Sequence, residues 1–256
     1  MPRILTAVLV PALALLAAAA APHPAAAQPS GEEILRRVDD NMQVETAYMT
    51  ARMTVRYREG DERVMEFESW SRGEEKAFIE FTAPARDAGS RFLRLDDVMW
   101  YYLPRVGKSV RIQGHMLRQG MMGSDFSYGD ATENASMVED YRATVEGDTT
   151  LSGRPAWVLF LEGQREDLSY PTMRVWIDAE RYIPLREQRF ARSGKLLKTA
   201  TFEDPHRVEG RWMPFRTILD NALQADTLTT LQILELELGV EVPERYFTLR
   251  HLEGGR

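Results

Sequence analysis

From residue 49 the chain reads with a period of two. Met49, Ala51, Met53, Val55 and Tyr57 alternate with Thr50, Arg52, Thr54 and Arg56. That spacing predicts a strand with one buried and one solvated face. Gly60-Asp61 turns the chain, and Met65 and Phe67 then alternate with Glu66 and Glu68. Strand-like stretches follow at 77–81, 92–95, 98–103 and 109–112, the last two flanking a Pro104–Lys108 hairpin. More fall at 141–145, 156–161, 173–178, 185–191, 196–202, 212–219 and 228–238, with turn signals at Gly153 and Ser193-Gly194. Short connections between about eleven such strands predict an antiparallel meander in a mainly β fold.

Two stretches depart from that period. Ser30 and Glu33 form a capping box, and Ile34, Leu35, Val38 and Met42 recur on one face, which predicts an N-terminal helix lying on the strands. Residues 113–130 carry Gly114, Gly120, Gly123 and Gly129 among Met116, Leu117, Met121, Met122, Phe126 and Tyr128. This stretch is too apolar for an open loop and too rich in glycine for a stable helix. It predicts a mobile flap with one short helical piece, serving as a lid.

The first 27 residues read as an export signal. Arg3 is followed by a run from Ile4 to Ala21 that is apolar apart from Thr6, and Ala25-Ala26-Ala27 offers a cleavage point. Uncleaved, the run is long enough to span a membrane; its alanine-rich end favours cleavage near Ala27, leaving residues 28–256 as one domain. The chain has no cysteine. A disulfide, a thiolate metal site and a lipid anchor at the cleavage point are thereby excluded.

Net charge is −7, and because residues 1–27 hold Arg3 and no acid, the remainder is one unit more negative. An acidic surface argues against nucleic acid. Of 32 basic residues only Lys76, Lys108, Lys195 and Lys198 are lysine. Arginine forks onto phosphate and carboxylate better than lysine does, although a GC-rich genome gives the same bias.

No catalytic motif is found. Gly-x-Ser-x-Gly, a phosphate-cradling glycine loop and His-Glu-x-x-His are all missing, and His23, His115, His206 and His251 are scattered. Asp96-Asp97 and Glu139-Asp140 are acidic pairs beside strands, and solvation suits them better than glycosidase chemistry. No catalytic residue, metal or cofactor is expected. What stands out is the density of Trp, Tyr, Phe and Met in the strands and the lid. Methionine suits surfaces that accept varied apolar partners, so the chain reads as a container.

Specific segments carry a resemblance. They include Glu68-Ser69-Trp70, Phe81-Thr82-Ala83-Pro84-Ala85-Arg86-Asp87, Trp100-Tyr101-Tyr102-Leu103-Pro104 and Gly114-His115-Met116-Leu117-Arg118-Gln119. Met121-Met122-Gly123-Ser124-Asp125-Phe126-Ser127-Tyr128 and the ending 242–250 complete the set. With these the chain resembles the outer-membrane lipoprotein-sorting protein family, relatives of the periplasmic carrier LolA. The resemblance implies an open, curved half-barrel with helices on its concave side. It also implies carriage of an acylated protein or lipid across the periplasm, between an inner-membrane exporter and an outer-membrane acceptor. On strand parity and the lid, the groove is expected to be lined by Met53, Phe67, Phe81, Trp100, Tyr102, Met116, Met121, Met122, Phe126 and Trp157. Two readings compete with a carrier. One is a lipid-sensing adaptor that regulates a membrane protein, and the other is an enzyme dependent on Asp97 or Asp125.

Overall fold

A computed structural model describes residues 28–131, 136–224 and 226–254. The expected export signal lies outside the described residues. The helix α1 (Gly31–Met42) opens the described chain with its capping box formed. Ser30 Oγ accepts from the Glu33 amide at 3.2 Å, and the Ser30 amide donates to Glu33 Oε2 at 2.7 Å. Replacing Ser30 with Ala removes this cap and is expected to lower the melting temperature by about 2–4 °C, as read by circular dichroism.

Six strands follow as a meander: β1 (Thr46–Tyr57), β2 (Glu62–Arg72), β3 (Lys76–Ala83), β4 (Arg91–Leu95), β5 (Val98–Leu103) and β6 (Lys108–Ile112). After residues 113–131 and the short helix α2 (Met137–Asp140) come β7 (Tyr141–Leu151), β8 (Arg154–Gly163), β9 (Thr172–Asp178) and β10 (Pro184–Phe190). The sheet is completed by β11 (Leu196–Val208), β12 (Arg211–Asn221) and β13 (Thr227–Leu238), and α3 (Leu249–Leu252) ends the described chain.

All thirteen strands join one open antiparallel sheet in the order β6-β5-β4-β3-β2-β1-β13-β12-β11-β10-β9-β8-β7. The two halves of the chain meet where β1 pairs with β13. The expected half-barrel meander is present, with thirteen strands rather than eleven. Each of the thirteen has a counterpart among the strand-like stretches of the sequence, the five-residue β4 and β6 included.

The register fixes one continuous inner face. Leu159 pairs with Val175, Val175 with Glu187 and Glu187 with Ala200. Ala200 pairs with Leu219, Leu219 with Thr229, and Thr229 with Val55. In the β7–β9 region, Ile34, Leu35 and Val38 of α1 pack on Leu159, Leu161, Val175 and Ile177. In the β1–β6 region, the same face is covered by residues 116–131.

The outer face of β2–β5 is apolar as well. Phe78 and Leu93 pack beneath Val242, Phe247 and Leu252 of the C-terminal segment. Trp70 stacks on Tyr246 at 4.6 Å between centroids. Glu244 binds both Arg72 and Lys76, which fastens that segment to the ends of β2 and β3.

Candidate functional site

The β1–β6 half carries an aromatic and methionine surface on its inner face. Met53, Met65, Phe67, Phe81, Phe92 and Met99 contribute to it, each no more than 5% exposed. Phe67 and Phe81 lie 5.3 Å apart, Phe81 and Phe92 5.9 Å, and Phe92 stacks on Tyr101 at 4.5 Å. A bare surface of this kind would face water at high cost. Residues 113–131 prevent that. Met116, Leu117, Met121, Met122, Phe126 and Tyr128 point down onto it.

This cover is built of tight turns. An isolated bridge between Gly120 and Ser127 closes a loop that holds the short 3-10 turn Met121–Gly123, and a second such turn, Gly114–Arg118, precedes it. A Cβ on Gly120 would collide with the Ser124 carbonyl, so only glycine fits there. Met122 adopts a left-handed φ of 53°, a conformation costly for a side-chain-bearing residue. Among the described residues, the backbone hydrogen bonds of the cover run within the cover itself, as from Tyr128 to Gln119 and Gly129 to Leu117.

Instead, three polar clasps hold it. At the first, Arg63 of β2 donates from Nη1 to the Met122 carbonyl at 2.8 Å. At the second, the Asp125 carboxylate accepts from Thr227 Oγ1 at 2.7 Å and Thr229 Oγ1 at 2.6 Å, while its amide donates to Thr229 Oγ1. The third is ionic. Asp130 accepts from Tyr170 at 2.6 Å, Arg189 at 2.9 Å and Lys198 at 2.5 Å, and Arg189 also binds Glu187 at 2.7 Å. The Asp130 and Lys198 side chains are only 7% and 8% exposed.

Burial opposes charge on Asp130, but Arg189 and Lys198, with hydrogen bonds from Lys198 and Tyr170, outweigh it and hold the carboxyl below its usual range. Burial pushes the Lys198 ammonium down, against the pull of Asp130. Burial and the Asp130 charge push the Tyr170 hydroxyl up, so it stays a donor. Two acids and two bases make the cluster neutral.

The inner face therefore has a polar seam, formed by Glu187 and Arg189 on β10, Lys198 on β11, and Thr227 and Thr229 on β13. A cavity of about 350 Å³ opens beside it. Val38 and Met42 of α1, Met137, Met173 and Phe202 form its apolar walls, and Asp130, Glu187 and Arg189 border it.

A family model described as an uncharacterized protein matches residues 73–254. The fold has close structural relatives. A DUF1329 family protein from Desulfovibrio piger superposes with a TM-score of 0.80 at 22% identity, covering 87% of this chain and 97% of its own. A putative outer membrane lipoprotein-sorting protein domain from Vibrio parahaemolyticus gives 0.77 at 24% identity, with 87% and 98% covered. A LolA superfamily protein from Nitrosomonas europaea gives 0.74 at 20% identity, with 88% and 100% covered. The chain belongs to the family of that model, and its fold is LolA-like. At these identities the likeness to the solved structures is one of fold, and no curated protein matches the sequence.

Within this LolA-like chain the ten expected groove residues divide three ways. Met53, Phe67, Phe81, Met116, Met121, Met122 and Phe126 meet in one cluster, the sheet and the cover each supplying part. Trp157 lies in the other half, packed among the residues beneath α1. Trp100 and Tyr102 belong to the outer face, against the C-terminal segment. Strand β5 reads Val98-Met99-Trp100-Tyr101-Tyr102-Leu103. With no polar residue in that run, alternation gives no sign of which face is inner. Met99 and Tyr101 take the inner positions, opposite Ile112 and Phe92.

Residues 113–131 do rest on the sheet as a lid-like element, but seated so that the apolar surface is filled rather than open. The buried charges of the seam were not found by sequence reasoning. Glu187, Arg189 and Lys198 sit at alternating positions in their strands, a spacing that equally well describes a solvated face. Asp125 is committed to two threonine hydroxyls, and Asp96 and Asp97 are exposed at the β4–β5 turn.

Proposed function

We propose that this protein shelters the acyl chains of a lipid or lipoprotein under residues 113–131 and carries them across the periplasm toward the outer membrane. The observation behind the reading is a large apolar sheet face covered by a segment held by side-chain clasps rather than by strand pairing. Fully burying an apolar side chain of this size is worth about 1.5–3 kcal/mol. Three buried side chains on the cover, with Met116, Leu117 and Phe126 counted as half-buried, amount to roughly 7–14 kcal/mol. An acyl chain of about fifteen carbons gains roughly 12 kcal/mol on leaving water, at about 0.8 kcal/mol per CH₂. Cover and cargo are thus near-equal competitors for one surface. Such a balance lets a carrier close when empty and release its load without a nucleotide.

Loading and release fall to membrane partners, an exporter on the inner membrane and an acceptor on the outer. Among the described residues no helix is long and apolar enough to cross a membrane. The acidic surface and the family fold accord with this role, and they favour a carrier over an enzyme.

A crosslink tests the reading. Thr229 Oγ1 and Asp125 Oδ2 stand 2.6 Å apart, and the chain has no cysteine of its own. The Asp125→Cys/Thr229→Cys variant, once oxidised, is expected to lose binding of a fluorescent fatty-acid probe and to regain it on reduction. Equal probe binding by the oxidised and reduced forms would sink the proposal. Loaded protein incubated with acceptor membranes should deliver its lipid to them; retention would indicate a sensor instead.

A further inference from the structure

At the open end of the same inner face lies a groove of about 770 Å³, distinct from the cavity beside α1. Its walls carry three arginines, Arg63, Arg86 and Arg105, and a single acid, Asp87. Tyr57 and Tyr101 also line it, and both pack on the apolar cluster beneath the cover. The groove therefore begins where the acyl surface ends.

The charges do not cancel. Asp87 is shared by Arg63 at 2.9 Å and by Arg86 at 3.4 Å, and Arg105 reaches only the Arg86 carbonyl at 3.4 Å. Two positive charges remain in excess, on a chain whose net charge is −7. Arg63 Nε is buried and has no hydrogen-bond partner, so the hydrogen-bonding capacity of that guanidinium is not fully met by the protein. Arg86 keeps 58% of its side chain exposed and meets Asp87 only at 3.4 Å. Forked guanidinium donors converging beside aromatic rings suit the oxygens of a phosphate.

We infer that this groove binds a phosphate group, held by Arg63, Arg86 and Arg105, beside the acyl surface. The inference rests on the carrier reading for its placement: with hydrocarbon under the cover, a cargo headgroup emerges at this end. Arg63 also links the two sites, because its Nη1 holds the Met122 carbonyl of the cover. A phosphate drawn onto Arg63 competes with that carbonyl, so headgroup capture loosens the cover as cargo arrives.

The test uses the full mature chain and three monomeric probes in calorimetric titrations. They are dihexanoylphosphatidylglycerol, inorganic phosphate, and octyl glucoside as an uncharged alkyl chain. The Arg86→Gln/Arg105→Gln variant removes two exposed guanidiniums and leaves the Arg63–Asp87 pair and the Met122 clasp in place. It should bind the phospholipid about tenfold more weakly than the parent and octyl glucoside equally well. Phospholipid binding much tighter than that of inorganic phosphate identifies a headgroup as the source of the phosphate. Equal, arginine-dependent binding of both identifies a free anion. If octyl glucoside fails to bind while phosphate binding still needs the arginines, the carrier reading falls and the phosphate site stands. Unchanged phospholipid affinity in the variant overturns the phosphate site.

Discussion

Replacing Asp130 with Ala is expected to lower unfolding free energy by about 3–5 kcal/mol, as read by urea denaturation. The carboxylate is the shared partner of Arg189 and Lys198, and it also receives Tyr170. Without it, Lys198 has no opposing charge in direct contact in a site where its side chain is 8% exposed. The cost is that of an uncompensated buried charge, more than the worth of the bonds lost. A second variant separates these contributions. Asp130→Asn/Lys198→Met removes one charge of each sign and leaves the Arg189–Glu187 pair intact, so it should recover a good part of the loss. If the double variant is as unstable as Asp130→Ala, the buried-charge account is wrong.

The pH dependence follows from the same group. Asp130 has a folded-state pKa held below its ordinary value, so the folded protein binds its proton less readily than the unfolded chain does. Its stabilisation is fully present above the unfolded value of about 3.9 and is lost as pH falls through the folded one. Between pH 8 and 5 this group contributes a constant amount. This group's contribution to the parent's stability should therefore shrink only below about pH 4 as read by urea denaturation, whereas in Asp130→Ala the unpaired Lys198, already pushed down by burial, adds a pH dependence of its own.

The second large effect is expected at Phe81. Its ring is fully buried and lies against Phe67 and Phe92. Phe81→Ala should cost about 3–5 kcal/mol, by loss of transfer energy and by the cavity left among neighbours fixed in a sheet. Val64 on β2 is 43% exposed, and Val64→Ala should stay within about 0.5 kcal/mol of the parent. The pair also bears on function. Phe81 contributes to the surface assigned to acyl chains, so its truncation should weaken probe binding in the fraction that remains folded, whereas Val64→Ala leaves binding unchanged. Equal probe affinity in folded Phe81→Ala protein would place the acyl chain elsewhere, and the cavity beside α1 is then the next candidate.

In the proposed carrier, the near-balance between cover and cargo depends on how few polar contacts hold the cover down. Arg63 is one of these and also lines the groove proposed for phosphate, so on that proposal both the ionic seam and the groove bear on the opening of one apolar surface. The outer face has no comparable freedom. There the C-terminal segment is clamped through Glu244 to two strands and stacked through Tyr246 on Trp70.

Much of this architecture is written in local pattern. The alternation from Met49 to Tyr57 specifies β1 and its buried face, and the capping box at Ser30 specifies the start of α1, because both depend on neighbours a few residues apart. Residues 113–131 likewise announce a covering segment by combining glycine with large apolar side chains. Three matters were settled only by the tertiary structure. Trp100 and Tyr102 face outward because the C-terminal segment, over 130 residues away in the chain, offers them an apolar partner; a strand apolar on both faces carries no local sign of this. Glu187, Arg189 and Lys198 are buried because Asp130 arrives from the cover to neutralise them. The cover is seated rather than raised because its methionines and the sheet's phenylalanines exclude water from each other. Each of these is a pairing between distant segments, and strand period reports only which side chains share a face, never what will come to lie on it.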